Sequence, residues 1–100
     1  MIDLEEAVME IIVNSGQSRS LCFEALQAAR QGSLEEAQKL LKESDTFALR
    51  AHKMQTKLIE QDAGEAKQPM TLIMVHAQDH LMTSLLAREL SAEIIHLYQR

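Results

Sequence analysis

One hundred residues suffice for one packed unit and leave no room for a second; with 46% apolar but only 3% aromatic residues, Leu, Ile, Ala and Met must build the core, as in helical bundles. The net charge of −5 at pH 7, with ten Lys and Arg dispersed rather than gathered in a stripe, excludes nucleic acid as the expected partner and favours a protein or a small neutral molecule. Cys22 is the only cysteine, which excludes an internal disulfide, and between Leu21 and Phe23 it reads as a packed thiol in a reducing compartment, the cytosol.

Asp3, Glu5 and Glu6 stand where a secretory signal needs a basic start, and they suit the N-terminal end of a helix dipole instead. Leu4, Val8, Ile11, Cys22, Leu26 and Ala29 follow helical spacing. Between them Asn14-Ser15-Gly16-Gln17-Ser18 is poor in helix formers, and the pattern favours one continuous helix with small residues at a crossing over a kinked one. Gly32 ends this helix as a C-cap, and Ser33-Leu34-Glu35-Glu36 reads as a capping box in which Ser33 and Glu36 satisfy orphan amides reciprocally. A second helix is expected from about Leu34 to Ile59, with an inner seam of Ala37, Leu40, Ser44, Phe47, Ala51, Met54 and Leu58 in alternating short and long steps, as in coiled-coil-like packing. Residues 60–69, polar and closing on Pro69, read as a loop, and a third helix is expected from near Met70 to about Tyr98. The expected fold is all-α, an antiparallel up-down-up three-helix bundle forming one domain over residues 1–100.

Met70, Leu72, Ile73, Met74, Val75, Leu81, Met82, Leu85 and Leu86 go all round the third helix, where a lone three-helix bundle needs one stripe. A second face therefore requires cover. No apolar run reaches the roughly 18 residues of a membrane span, so the expected cover is other copies of the chain, with the third helix near the centre of a homo-oligomer.

Inside that helix, His76-Ala77-Gln78-Asp79-His80 puts His76, Asp79 and His80 on one helical surface. An unpaired buried carboxylate is costly, so Asp79 must meet a cation, a proton or several donors. Three readings compete. Two histidines four apart can bite zinc, but the position that would supply the general-base glutamate of a His-Glu-x-x-His hydrolase is Ala77, which disfavours hydrolysis. Packed, hydrogen-bonded histidines are the bland reading. The third is phosphoryl carriage, in which a neutral imidazole attacks an already activated phosphoryl donor and needs only alignment, access and hydrogen-bond donors, with polar Gln78 nearby. Spacing alone does not choose among them.

The chain resembles the lactose/chitobiose/cellobiose IIA proteins of the phosphoenolpyruvate-dependent sugar phosphotransferase system over nearly its whole length. The resemblance rests on Ile12-Val13-Asn14-Ser15-Gly16-Gln17-Ser18-Arg19-Ser20, on Ala51-His52-Lys53-Met54-Gln55-Thr56-Lys57-Leu58-Ile59, and most specifically on Val75-His76-Ala77-Gln78-Asp79-His80-Leu81-Met82-Thr83. It implies a homotrimer of three-helix subunits, a nine-helix bundle, with His76 as the tele-phosphohistidine intermediate. The implied donor is the histidine-containing phosphocarrier protein and the implied acceptor a cysteine of the cognate IIB component, which serves the membrane-embedded IIC permease during uptake of a β-disaccharide. Gln78 and His80 are implied as supporting residues, and His52 is read the same way. Asp79 matches the family's carboxylate at the threefold axis, shared by three subunits around a structural metal ion, usually taken as magnesium; converging carboxylates need a hard cation or protons, and oxygen ligands suit magnesium. The departures, almost no extension ahead of Leu4 and Pro69 just before the third helix, do not touch the motif. The competing expectation is a non-catalytic helical trimer acting as a regulatory or scaffold protein.

Overall fold

Asp3 starts the first helix: its carboxylate accepts from the backbone N–H groups of Glu5 and Glu6 at 3.0 and 3.3 Å, covering two of the amides that a helix start leaves unpaired. In the computed structural model, which describes residues 3–100, this helix is α1 (Leu4–Arg30), followed by α2 (Leu34–Ala63) and α3 (Leu72–Tyr98), with no strand among the described residues. Met1 and Ile2, part of the expected 1–100 span, lie outside the described residues. The three helices form the expected up-down-up bundle, a rod of 51 × 20 × 16 Å in which α1 packs on both of its neighbours and α2 meets α3 less closely.

Helix α1 runs without a break through Asn14-Ser15-Gly16-Gln17-Ser18, so the small residues mark a crossing and not a kink. It ends in a Schellman turn: Gly32 adopts φ +87°, the left-handed region that glycine enters without strain, the Ser33 N–H donates to Ala28 O at 2.9 Å, and the Gly32 N–H donates to Ala29 O at 3.0 Å. This turn overrides the expected capping box. Ser33 is already fixed by its bond back to α1, its ψ is 69°, and its side chain makes no cap bond to α2.

Two further boundaries differ from expectation. Helix α2 continues past Ile59 to Ala63, because Glu60, Gln61 and Ala63 are good helix formers and the first residue to interrupt them is Gly64, the C-cap. Helix α3 starts at Leu72 and not at Met70, because the Thr71 side chain caps it, accepting from the Met74 N–H at 3.2 Å. Pro69 and Met70 stay outside.

The core consists of two apolar clusters. One gathers Val8, Ile11, Leu58, Met74 and Leu81 with small Ala7, Ala51 and Ala77; the other gathers Cys22, Leu41 and Ile95 with Ala25, Ala28, Ala29 and Ala37. Cys22 is buried there as a free thiol, as expected. Fully buried Ser15, Ser18, Ser44 and Ser84 are interleaved with these clusters, and so many small side chains let the helix backbones approach closely. Along α2 the buried line is Ala37, Leu41, Ser44, Ala48, Ala51, Gln55 and Leu58; the expected Leu40, Phe47 and Met54 lie at its half-buried edge. Arg88 of α3 clamps α2 through Asp45, with Nε–Oδ1 at 2.7 Å and Nη2–Oδ2 at 3.0 Å, and this hydrogen bonding holds the guanidinium pKa above its ordinary value against partial burial.

Helix α3 buries Met74, Ala77, Leu81, Ser84 and Ile95 within the subunit. At 3.6 residues per turn, Leu72, Val75, Met82 and Leu86 fall on the opposite side, and they are 47–86% exposed. This is the second apolar face that the sequence requires, uncovered within one chain. Among the described residues no helix is long and apolar enough to cross a membrane.

Candidate functional site

Nothing between Leu72 and Tyr98 breaks α3, so His76 sits on a rigid stretch of helix one turn in from the Thr71 cap, with its side chain exposed. One turn further on, His80 lies beneath it. The two rings are parallel within 11°, with centroids 5.7 Å apart. His80 is half-buried because its Nε2 is turned onto α1 at Gly16, 3.5 Å from where a Cβ would stand; glycine there lets the ring lie against the α1 backbone. The turn below is tied down by hydroxyls: Thr83 Oγ1 donates to the carbonyl oxygens of Asp79 and His80 at 2.9 and 3.2 Å, and Ser84 Oγ donates to His80 O at 2.7 Å.

His76, Asp79 and His80 share one open groove of about 600 Å³ between α1 and α3, with Thr83 and Ala87 on α3 and Arg19 and Phe23 on α1 completing its walls. Asp79 stands at the edge where this groove meets the exposed apolar stripe of α3, its carboxylate exposed and without an ion pair among the described residues. The spacing argument thus places three of the expected residues together. Gln78 is placed elsewhere. Its amide oxygen accepts from Gln55 Nε2 on α2 and its own Nε2 approaches Met74 Sδ, so within the subunit it joins α2 to α3 and does not face the His76 groove. His52 is exposed on α2, away from the groove, and only its backbone carbonyl is engaged, by Thr56 Oγ1 at 3.0 Å.

The two α1 residues of the groove, Arg19 and Phe23, escaped the sequence reading of the site, as did Ala87 on α3. Both α1 residues lie in or beside the first matched segment and, with Gly16, follow the helical spacing that makes one face of α1. That this face meets α3 at the histidines is a matter of packing. Chemically, the groove offers an accessible imidazole on a fixed backbone, a stacked second imidazole, one guanidinium and one carboxylate. No group of three or more His, Cys, Asp or Glu side chains is arranged to hold a metal among the described residues of one chain.

A rigid three-helix subunit with a solvent-facing histidine in an open groove suits a group-carrying protein, which needs access and alignment and no enclosed substrate pocket. The family described as PTS system, Lactose/Cellobiose specific IIA subunit, matches residues 6–99, and the chain belongs to it. It is therefore a phosphotransferase component. The chain is 53% identical over 98 residues to the PTS system N,N'-diacetylchitobiose-specific EIIA component of Escherichia coli (strain K12), covering 98% of this chain and 84% of that protein. Its fold matches the crystal structure of the PTS cellobiose-specific enzyme IIA from Bacillus anthracis with a TM-score of 0.93 at 39% identity, covering 99% of this chain and 92% of that one. It also matches the IIA component in solution structures of the IIA(Chitobiose)-HPr complex of the Escherichia coli phosphotransferase system, with a TM-score of 0.85 at 52% identity over 99% of this chain and 96% of that one.

Proposed function

We propose that His76 is the phosphoryl carrier of a IIA component serving β-disaccharide uptake, of the chitobiose, cellobiose or lactose class. The observation that carries the reading is the exposure of His76 on a rigid turn of α3, in a groove open to a partner's own histidine. The donor is HPr, the partner in the solved complex of the chitobiose relative. In the first step the neutral His76 imidazole attacks phosphorus in line; the P–N bond to the donor histidine breaks as the P–N bond to His76 forms, the donor ring leaves with the lone pair, and each ring keeps the N–H on its other nitrogen. In the second step a cysteine thiolate of the IIB component attacks; a P–S bond forms as the P–N bond to His76 breaks, and the lone pair returns to the ring nitrogen, which restores the neutral His76 imidazole.

Assembly as a homotrimer around α3 accounts for the exposed stripe of Leu72, Val75, Met82 and Leu86. In such an assembly the Asp79 carboxylates would hold a shared cation. Their fit to it is chemical: an exposed carboxylate bordering an apolar face, with no ion pair of its own among the described residues, offers oxygen donors of the kind magnesium takes. Bound there, the ion supplies charge neutralisation to the interface. Asp79, not His76, is the residue committed to it.

The test compares wild type and His76→Ala incubated with phosphoenolpyruvate, enzyme I and HPr. The wild type should gain one acid-labile phosphoryl group by mass spectrometry, and His76→Ala should gain none while keeping its helicity. Label on the variant, at His80 or elsewhere, would remove the assignment.

A further inference from the structure

Carrying a phosphoryl group brings about two negative charges to a protein that is already at −5 and has one of its carboxylates, Asp79, lining the groove itself. Transfer into such a field requires a local donor of positive charge and hydrogen bonds aimed at the phosphoryl oxygens. We infer that Arg19 of α1 is the group that holds the phosphoryl oxygens on His76, an inference that rests on His76 being the carrier.

The groove leaves few other groups for the task. Phe23 and Ala87 have no donor, and Asp79 repels. The Thr83 hydroxyl is spent on the carbonyl oxygens of Asp79 and His80, and the His80 Nε2 faces α1 at Gly16. Among the described residues Arg19 is the only Lys or Arg lining the groove, where it shares the walls with both rings, and it also lines the adjoining depression formed with Gly16, Ser20, Phe23 and His80. It makes no ion pair among the described residues; the guanidinium that does is Arg88, bound to Asp45. Nor does it serve a helix end, since it lies well inside α1. An exposed, unpaired guanidinium beside a nucleophile is free to meet phosphoryl oxygens in a two-pronged fashion, which a lysine ammonium cannot match.

The test uses the full chain with phosphorylated HPr, measuring rate against donor concentration for wild type, Arg19→Gln and Arg19→Lys, together with the phosphohistidine ³¹P resonance and sedimentation. Arg19→Gln should lose roughly 10- to 100-fold in maximal rate with a smaller change in half-saturating donor concentration, at or below the lower end of the loss seen when one enclosed oxyanion donor is removed, because this groove is open to water. Arg19→Lys should fall between it and wild type. The ³¹P resonance should move in Arg19→Gln while the sedimentation of the assembly stays put. An unchanged rate and resonance in Arg19→Gln, with His76 still labelled, would overturn the role of Arg19 alone. A change confined to sedimentation would make Arg19 a contact between subunits and overturn it equally. Run alongside as a control, His76→Ala should take no label; label persisting on it would bring down the carrier assignment and this inference with it.

Discussion

Among the described residues the His76 side chain is held by its neighbours and makes no hydrogen bond of its own: its ring stacks with His80, and His80 faces α1 at Gly16. The 3.5 Å approach at Gly16 decides what the position tolerates. One methyl carbon at that distance is in ordinary contact, and alanine is favoured over glycine in a helix interior by about 0.8–1 kcal/mol, so Gly16→Ala should leave the site intact and raise the melting temperature. Gly16→Val is different. Its two further carbons branch toward the imidazole, and moving His80 would unstack it from His76. The histidine ring resonances in NMR should therefore shift for Gly16→Val and hold for Gly16→Ala, with phosphoryl uptake following the same order. Identical ring resonances in all three proteins would mean that α1 does not seat His80.

At the scale of the elements, the serines interleaved with the core carry the next expectation. Ser44 and Ser84 return their hydroxyl protons to carbonyl groups of their own helices, at 2.6 and 2.7 Å, whereas the hydroxyls of Ser15 and Ser18 are buried with no partner among the described residues. An unmet buried hydroxyl costs about 1–3 kcal/mol, and alanine fits the same space, so Ser18→Ala should stabilise by about 1 kcal/mol and raise the melting temperature by a few degrees. A lower melting temperature would show that the hydroxyl is satisfied. The same elements show what could be read in advance. The three helices, the glycine that ends α1 and the small-residue crossing were legible because spacing and turn chemistry are local. The register of α2 was not: Leu40 precedes Leu41 and Phe47 precedes Ala48, so the pattern supports two seams one residue apart, and close packing against the alanine-rich α1 selects the seam with Ala48. Gln55 completes that seam only because Gln78, on another helix, meets its amide, a pairing no local pattern contains. The histidine surface of α3 was legible from its spacing for the same local reason, while Arg19 and Phe23 joined it only through the packing of α1 on α3.

The whole molecule turns on the face of α3 that the subunit leaves bare. Asp79 follows the helical line of Leu72, Val75, Met82 and Leu86, so a homotrimer built on that stripe brings three carboxylates together in apolar surroundings. Left alone they would repel, and the desolvation of each would be costly; a shared cation would relieve both effects, and the wild-type assembly should then be sensitive to chelators. Phosphoryl transfer should be affected only as far as assembly is, since His76 lies in the groove and Asp79 at its edge: wild type in EDTA should keep transferring for as long as the trimer persists. Asp79→Leu separates the two roles. It removes the repulsion and the need for the ion, and replacing a buried charged cluster by apolar side chains is often neutral or stabilising by about 1–4 kcal/mol. The variant should sediment as a trimer, melt at least as high as wild type, and give the same melting curve with and without EDTA, where the wild-type curve shifts down. If Asp79→Leu instead yields soluble monomers of unchanged helicity, the carboxylate does not stand at a threefold seam, and the exposed stripe of α3 is covered by something other than its own copies.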